Sequence, residues 1–319
     1  MSAVSLLHPQ CVALVKALAA REEPTVDQVS PTQARHAYQS RGSLVQPAAP
    51  PVAKIEDVGL PLGRRHLALR LYRPLGSSDE ALLPTLVYFH GGGWLLGNID
   101  THDTLCRELC NASQACVVSV DYRLAPEHPY PAALDDARAA LEWVFANAAD
   151  AGIDARRVAV GGDSAGGNLA AVLAIEMRDM PERRIAFQLL VYPAVDLRCT
   201  SDSFVRNGEG FVLTHQLMSY FVCQYAQAAD LSDWRLSPAL CESLDGVPPA
   251  LVIVAGFDPL HDEGAAYAQQ LSAAGVQTTL LNFERQIHGF LTMGKVIDEA
   301  NEAVLICAVA VQRALRAGS

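Results

Sequence analysis

Val158-Ala159-Val160-Gly161-Gly162-Asp163-Ser164-Ala165-Gly166-Gly167-Asn168 reads as a buried strand that turns sharply into a helix, with a serine at the apex. The β-branched run ahead of the turn suits a strand, and Leu169-Ala170-Ala171-Val172-Leu173-Ala174 behind it suits a helix. Gly162 and Gly166 stand two residues to either side of Ser164, the G-x-S-x-G spacing of a nucleophile elbow. A side chain lifted clear of so tight a turn sits in strained backbone, and neighbours two residues away must be small to avoid each other. The stretch therefore predicts an α/β fold organised around Ser164 as nucleophile; the bland alternative is an ordinary strand-turn-helix corner.

Working outward, strands and helices alternate. Strands are expected at 53–58, 66–72, 85–89, 115–122, 185–192, 250–255 and 278–283, which with the elbow strand makes about eight. Helices are expected at 131–147, near 262–274 and at about 295–316. Continuous apolar strands alternating with helices imply a mostly parallel sheet covered on both faces. The alternating run His66-Leu67-Ala68-Leu69-Arg70-Leu71-Tyr72 is a candidate antiparallel edge. Residues 1 to about 45 read as amphipathic helix ending at the boundary Ala48-Ala49-Pro50-Pro51, and the polar face is not basic, so a cover over the pocket is expected rather than a membrane-surface helix. From Asp196 to about Leu240 no strand is visible, but Phe204, Phe211, Met218, Tyr220, Phe221, Tyr225 and Trp234 recur, which suggests an inserted helical cap whose inner face is both core and pocket wall. The expected organisation is 1–50 cap segment, 51–195 core, 196–240 cap insertion and 241–319 core.

With 319 residues, 50% hydrophobic and 18% charged, the chain can bury a large core. A net charge of -11 and a pI near 5.2, with 24 scattered Lys and Arg, argue against nucleic acid as a partner. No apolar run of membrane-spanning length and no basic-then-apolar leader are visible, and eight irregularly spaced cysteines suit free thiols, so a cytoplasmic location is expected.

An acyl-transfer serine needs a base, a carboxylate to orient it, and backbone donors for the oxyanion. His90-Gly91-Gly92-Gly93-Trp94 follows an expected strand, and a His-Gly-Gly-Gly run arises by chance only on the order of 0.002 times in such a chain. The expected donors are the amides of Gly91 or Gly92 and of Ala165. Asp258, just past the strand 250–255, is the expected orienting carboxylate, whereas Asp262 and Glu263 are already explained by the following helix's dipole. His288, in a loop after the strand 278–283, is the expected base; His261 lies too close to Asp258 in sequence to close a triad easily. His102, Cys106 and Cys110 share one helical face, but three ligands along one straight helix span too far for one ion, so no metal site is expected. Asp163 could brace the elbow or the oxyanion loop, or be a polar turn residue; Glu127, Asp135 and Asp136 read as structural.

These stretches, together with Asp121 to Asp136 and Asp258-Pro259-Leu260-His261-Asp262-Glu263, resemble the bacterial hormone-sensitive-lipase family (family IV) of esterases over roughly residues 50 to 315. The resemblance implies an α/β-hydrolase fold with a cap and a serine carboxylesterase acting on short- to medium-chain esters. It also implies a triad of Ser164, Asp258 and His288, an oxyanion hole of Gly91, Gly92 and Ala165, and no cofactor. His261 stands where the family often has Arg. Members are often dimers, which this sequence neither supports nor excludes. Two other readings share the scaffold. One is an amide or acetyl hydrolase; the other is a ligand receptor of the kind that has lost the triad histidine, a position filled here by His288.

Overall fold

The computed structural model describes residues 6–21, 23–78 and 80–316. Residues 1–5 and 22 of the expected N-terminal segment, 79, and 317–319 of the last expected piece lie outside the described residues.

Helices α1 (Pro9–Ala19) and α2 (Pro31–Val45) precede strands β1 (Lys54–Leu62), β2 (Arg65–Arg73) and β3 (Leu83–Phe89). Then follow α3 (Asp103–Ser113), β4 (Cys116–Val120), α4 (Ala132–Ala146), β5 (Ile153–Asp163), α5 (Ala165–Glu176) and β6 (Ile185–Val191). Helices α6 (Asp202–Arg206) and α7 (His215–Ala226) occupy the stretch without strands, and β7 (Ala250–Phe257), α8 (His261–Ala273), β8 (Thr278–Ile287) and α9 (Asp298–Ala314) complete the chain. Pro at the first helical position and a Ser30 side chain accepting from Gln33 N set the start of α2, a capping arrangement that satisfies an otherwise orphaned amide.

The eight strands form one sheet in the order β1-β2-β4-β3-β5-β6-β7-β8, parallel from β4 through β8. The alternating strand β2 is antiparallel to both neighbours, but it is not the edge: β1 pairs along its whole length and takes that place. The polar positions of β2 that suggested a solvent-facing edge are those whose faces point away from the core, where β1 shields the backbone instead.

Alternate residues of the central strands feed two apolar layers. Val87, Phe89, Val118, Val160, Leu190 and Val252 face one layer with α4, α5 and α8, while Leu86, Tyr88, Val117, Leu189 and Ile253 face the other with α3 and α9. This is the period-two consequence of a strand buried on both faces. Every described residue of α5 but its last is buried, as an all-apolar helix requires. The parallel strands β3 to β8 thus carry their carboxyl ends on one side of the sheet.

Candidate active site

Four consecutive neighbours in the sheet, β3, β5, β6 and β7, together with β8, end on one side, where ligands bind in open α/β sheets. Ser164 leaves the end of β5 with φ 55° and ψ −116°, an uncommon backbone state for a residue with a side chain. The two glycines explain how it is tolerated. A Cβ at Gly162 would overlap the backbone of Gly166, and one at Gly166 would overlap the carbonyl oxygen of Phe89 at the end of β3. The tight turn and its approach to the neighbouring strand exist only without side chains at both positions.

Asp258 follows β7 and His288 follows β8. His288 Nε2 lies 2.9 Å from Ser164 Oγ, and its Nδ1 lies 2.6 Å from Asp258 Oδ2. The carboxylate makes Nδ1–H the donor, which leaves Nε2 as acceptor for the serine hydroxyl. Asp258 is fully buried, Ser164 and His288 nearly so. Asp258 Oδ1 also accepts from Leu260 N at 2.8 Å, and Asn207 Nδ2 donates to the carbonyls of Gly256 and Asp258 at 3.0 and 3.1 Å. The Tyr192 ring packs 4.8 Å from the His288 ring. A lone Asn in a stretch without strands, or a Tyr ending an apolar run, carries no sequence signal for these supporting roles.

The glycine loop departs in detail from what the sequence suggested. Gly91 N donates to Asp163 Oδ1 at 3.0 Å, so this amide, expected at the oxyanion, is already committed to a buried carboxylate. Gly92 and Gly93, both at positive φ, border the cavity that contains Ser164 and His288. Ala165 opens α5, where the first amides of a helix have no partner within it.

Asp163, the residue before the serine, ties this loop together. Its Oδ1 also accepts from the Tyr88 hydroxyl at 2.9 Å and lies 3.4 Å from His102 Nε2. Burial raises the Asp163 carboxyl, but the His102 ring, the Tyr88 hydroxyl and His90 more than offset it, holding the group below its ordinary range. His90 is stacked on Tyr122 with ring centroids 4.2 Å apart, and its Nδ1–H donates to the Gly91 carbonyl at 2.8 Å. Burial, reinforced by neighbouring His102, pushes His90 down to about 3 and keeps it neutral.

The remaining sequence candidates serve structure. Cys106 and Cys110 lie on the buried face of α3, and no cluster of metal-ligating side chains is found among the described residues. His261 Nδ1 pairs with Asp262 at 2.7 Å. Glu263 Oε1 accepts from the amides of Val195 and Asp196 at 2.8 and 3.2 Å, fixing the chain just past β6, and burial pushes this carboxyl well above the usual range. Glu127 binds Arg35, Asp135 binds Arg138, and Asp136 binds Arg65 and Arg123.

Over Ser164 lies a cavity of about 190 Å³, walled by α1 and α2 on one side and α7 on the other. Met218 and Phe221 of α7 line it while also packing into the core, and Phe221 rests directly on Gly93. Tyr225 stacks on Trp94 at 4.5 Å with an interplanar angle of 2°, fastening α7 to the segment after the glycine loop.

The sequence matches the family model described as alpha/beta hydrolase fold over residues 86–292. It is 44% identical over 259 residues to carboxylesterase NlhH of Mycobacterium tuberculosis, covering 80% of this chain and 81% of that one. It is 39% identical over 288 residues to the ethyl acetate hydrolase of Pseudomonas putida, covering 89% and 90%. Among solved structures it is similar to the ester-hydrolase EH1AB1 from the metagenome of Lake Arreo, complexed with a derivative of bipyridine phosphonate. There the TM-score is 0.93 at 42% identity, over 96% of this chain and 98% of that one. A hyperthermophilic esterase of Pyrobaculum calidifontis gives a TM-score of 0.90 at 39% identity, over 96% and 98%. The chain belongs to the α/β-hydrolase fold family, among its carboxylesterases of hormone-sensitive-lipase type.

Proposed function

We propose that this protein hydrolyses short- to medium-chain carboxylic esters through an acyl-enzyme on Ser164. The observation that carries this reading is the hydrogen-bonded chain Ser164–His288–Asp258 at the floor of a largely apolar cavity. Ser164 Oγ forms a bond to the ester carbonyl carbon as His288 Nε2 takes its proton. The carbonyl oxygen becomes an oxyanion, held by the amides of Gly92, Gly93 and Ala165, with Gly91 bracing the loop through Asp163 rather than donating. His288 passes its proton to the departing alcohol, the C–O bond breaks, and the acyl group remains on Ser164. Water, deprotonated by His288, then attacks the acyl carbon; the acid leaves and the serine recovers its proton. Asp258 orients His288 and stabilises its charged form.

A cavity of about 190 Å³ suits small acyl groups, being modest beside the ~300–1,000 Å³ of drug-sized pockets. Residues 1–50 and 196–240 act as the cap, because both contribute walls above Ser164. Replacing Ser164 by Ala lowers turnover of a short-chain aryl ester by roughly 10⁴-fold or more. Turnover by S164A within tenfold of wild type excludes the assignment, and so does failure of a serine-directed phosphonate to label the native protein.

The working form is a homodimer joined along β8 and α9, a reading supported by the place of β8 at the end of the sheet, where His8 N donates to Arg285 O, and by exposed Leu305, Ile306 and Val309. A cytoplasmic location is supported by eight free thiols. Among the described residues no helix is long and apolar enough to cross a membrane.

A further inference from the structure

The face of α2 turned to the cavity is the stripe Ala34, Tyr38, Arg41 and Val45, spaced as one side of a helix. In a wall otherwise dominated by aliphatic and aromatic groups, Arg41 is the only Lys or Arg among the described lining residues. Its guanidinium makes no hydrogen bond to any described residue. Nε is shut off from solvent without a partner, and the nearest anion, Glu23, stands 3.8 Å from Nη2, beyond hydrogen-bond reach. The side chain as a whole is 38% exposed, so the inner edge of the fork is dry while the rest meets water at the cavity rim.

A structural arginine in this fold looks different. Arg35, two turns earlier on the same helix, spends its donors on the carbonyls of Leu95 and Ala125 and on Glu127. Arg41, by contrast, holds a charged, planar fork over a hydrocarbon-lined pocket with no hydrogen bond to a described residue. Such a fork pairs side-on with a carboxylate through Nε–H and one Nη–H, geometry that an ammonium cannot reproduce. The Tyr38 hydroxyl, one turn away, also makes no hydrogen bond to a described residue and lies within electrostatic reach of Arg41. The chain's net charge of -11 does not favour anions in general, so recognition of one requires a local cation of this kind.

We infer that Arg41 is a specificity residue that selects esters whose acyl chain ends in a carboxylate, namely half-esters of α,ω-dicarboxylic acids. The apolar cavity takes the methylene chain, Ser164 takes the ester carbonyl, and the Arg41 fork takes the far carboxylate. Hydrolysis breaks the ester C–O bond, water supplies OH to the acyl carbon and H to the alcohol, and the distal carboxylate leaves unchanged. This inference rests on the ester-hydrolase reading, and its test separates the two.

The mono-4-nitrophenyl esters of adipic and suberic acid are compared with 4-nitrophenyl hexanoate and octanoate, the neutral esters of equal length, at pH 7.5 in wild type, R41Q and R41K. The ratio of kcat/KM for carboxylated over neutral ester is expected to fall at least about tenfold in R41Q at one of the two lengths, mainly through KM, with R41K intermediate. An unchanged ratio in R41Q overturns the inference, including the case in which both esters slow equally because Arg41 merely shapes the cap. Calorimetric titration of S164A with free suberate and adipate reads the same contact without turnover. Binding of either that is lost in S164A/R41Q supports it, and equal binding by both proteins, or none by S164A, overturns it. Failure of wild type to cleave any of the four esters overturns the hydrolase reading instead, and leaves the titration to judge Arg41.

Discussion

His90 shows how much of a catalytic loop is held from beneath. It does not line the cavity, yet its ring is stacked on Tyr122, bound to the Gly91 carbonyl, and kept neutral by burial. The neutral state has a cost in acid. An unfolded chain protonates this histidine near the ordinary 6.5, whereas the folded protein does so only at about 3, so between those values the unfolded state binds more protons. Stability contributed by the neutral ring is present above about pH 6.5 and declines as pH falls toward about 3. The H90N variant, whose amide can still donate to the Gly91 carbonyl, is less stable at pH 7 but loses less on acidification. Urea midpoints at pH 7 and pH 4 check this, and equal losses in wild type and H90N contradict it. Asp163 belongs to the same network. The sequence placed it beside the serine without deciding its task, and only the distance to Gly91 N shows that it braces the glycine loop.

At the scale of elements, the latch between α2 and the core decides whether the cavity has a roof. Arg35 reaches from α2 to the carbonyls of Leu95 and Ala125 and forms a two-pronged pair with Glu127, at 2.9 and 3.0 Å for the carbonyls. These partners lie in the segment after the glycine loop and in the loop before α4, so one side chain joins α2 to both. Charge-assisted bonds to partly buried partners are worth more than an exposed ion pair. Replacing Arg35 by Ala should cost about 1–3 kcal/mol and raise KM for an aryl ester more than it lowers kcat, since the triad is untouched. Denaturant unfolding together with steady-state kinetics tests it, and a drop in kcat at constant KM argues that α2 acts on the chemistry instead. Glu127 was legible as structural from its loop, whereas Arg35 was not legible at all, because a polar residue on an amphipathic helix has the same appearance whether it meets water or a carbonyl.

Across the whole molecule, the sheet has two margins, β1 and β8, with different characters. On β1 the outward side chains are mostly polar, including Lys54, Glu56 and Asp57, which discourage edge pairing. On the β8 side, Leu280 is 38% exposed and α9 presents Leu305, Ile306 and Val309 at 56, 40 and 47%. An edge strand beside an apolar helical stripe is a surface that a second copy can cover symmetrically. The expected outcome for I306E is a change from dimer to monomer mass in sedimentation, with ester turnover per chain retained because the triad lies at the carboxyl ends of the strands. A wild-type protein that sediments as a monomer at tens of micromolar refutes the proposed assembly.

The sequence by itself determined the α/β class, the approximate place of each strand, and the positions of Ser164, Asp258 and His288, each after the end of a strand. These are local properties: apolar period, turn glycines, and the small residues that a strained apex demands. Tertiary structure decided what depends on which chain segments meet. It put β1 outside β2, spent the Gly91 amide on Asp163, left Gly92 and Gly93 bordering the cavity, and brought Asn207 beneath Asp258. It also distinguished two arginines on one helix, giving each guanidinium nitrogen of Arg35 a hydrogen-bond partner and, among the described residues, none to Arg41. Residue type records that a hydrogen-bonding group exists, but whether it is satisfied depends on a neighbour 60 or 90 positions away, and only the folded chain brings that neighbour near.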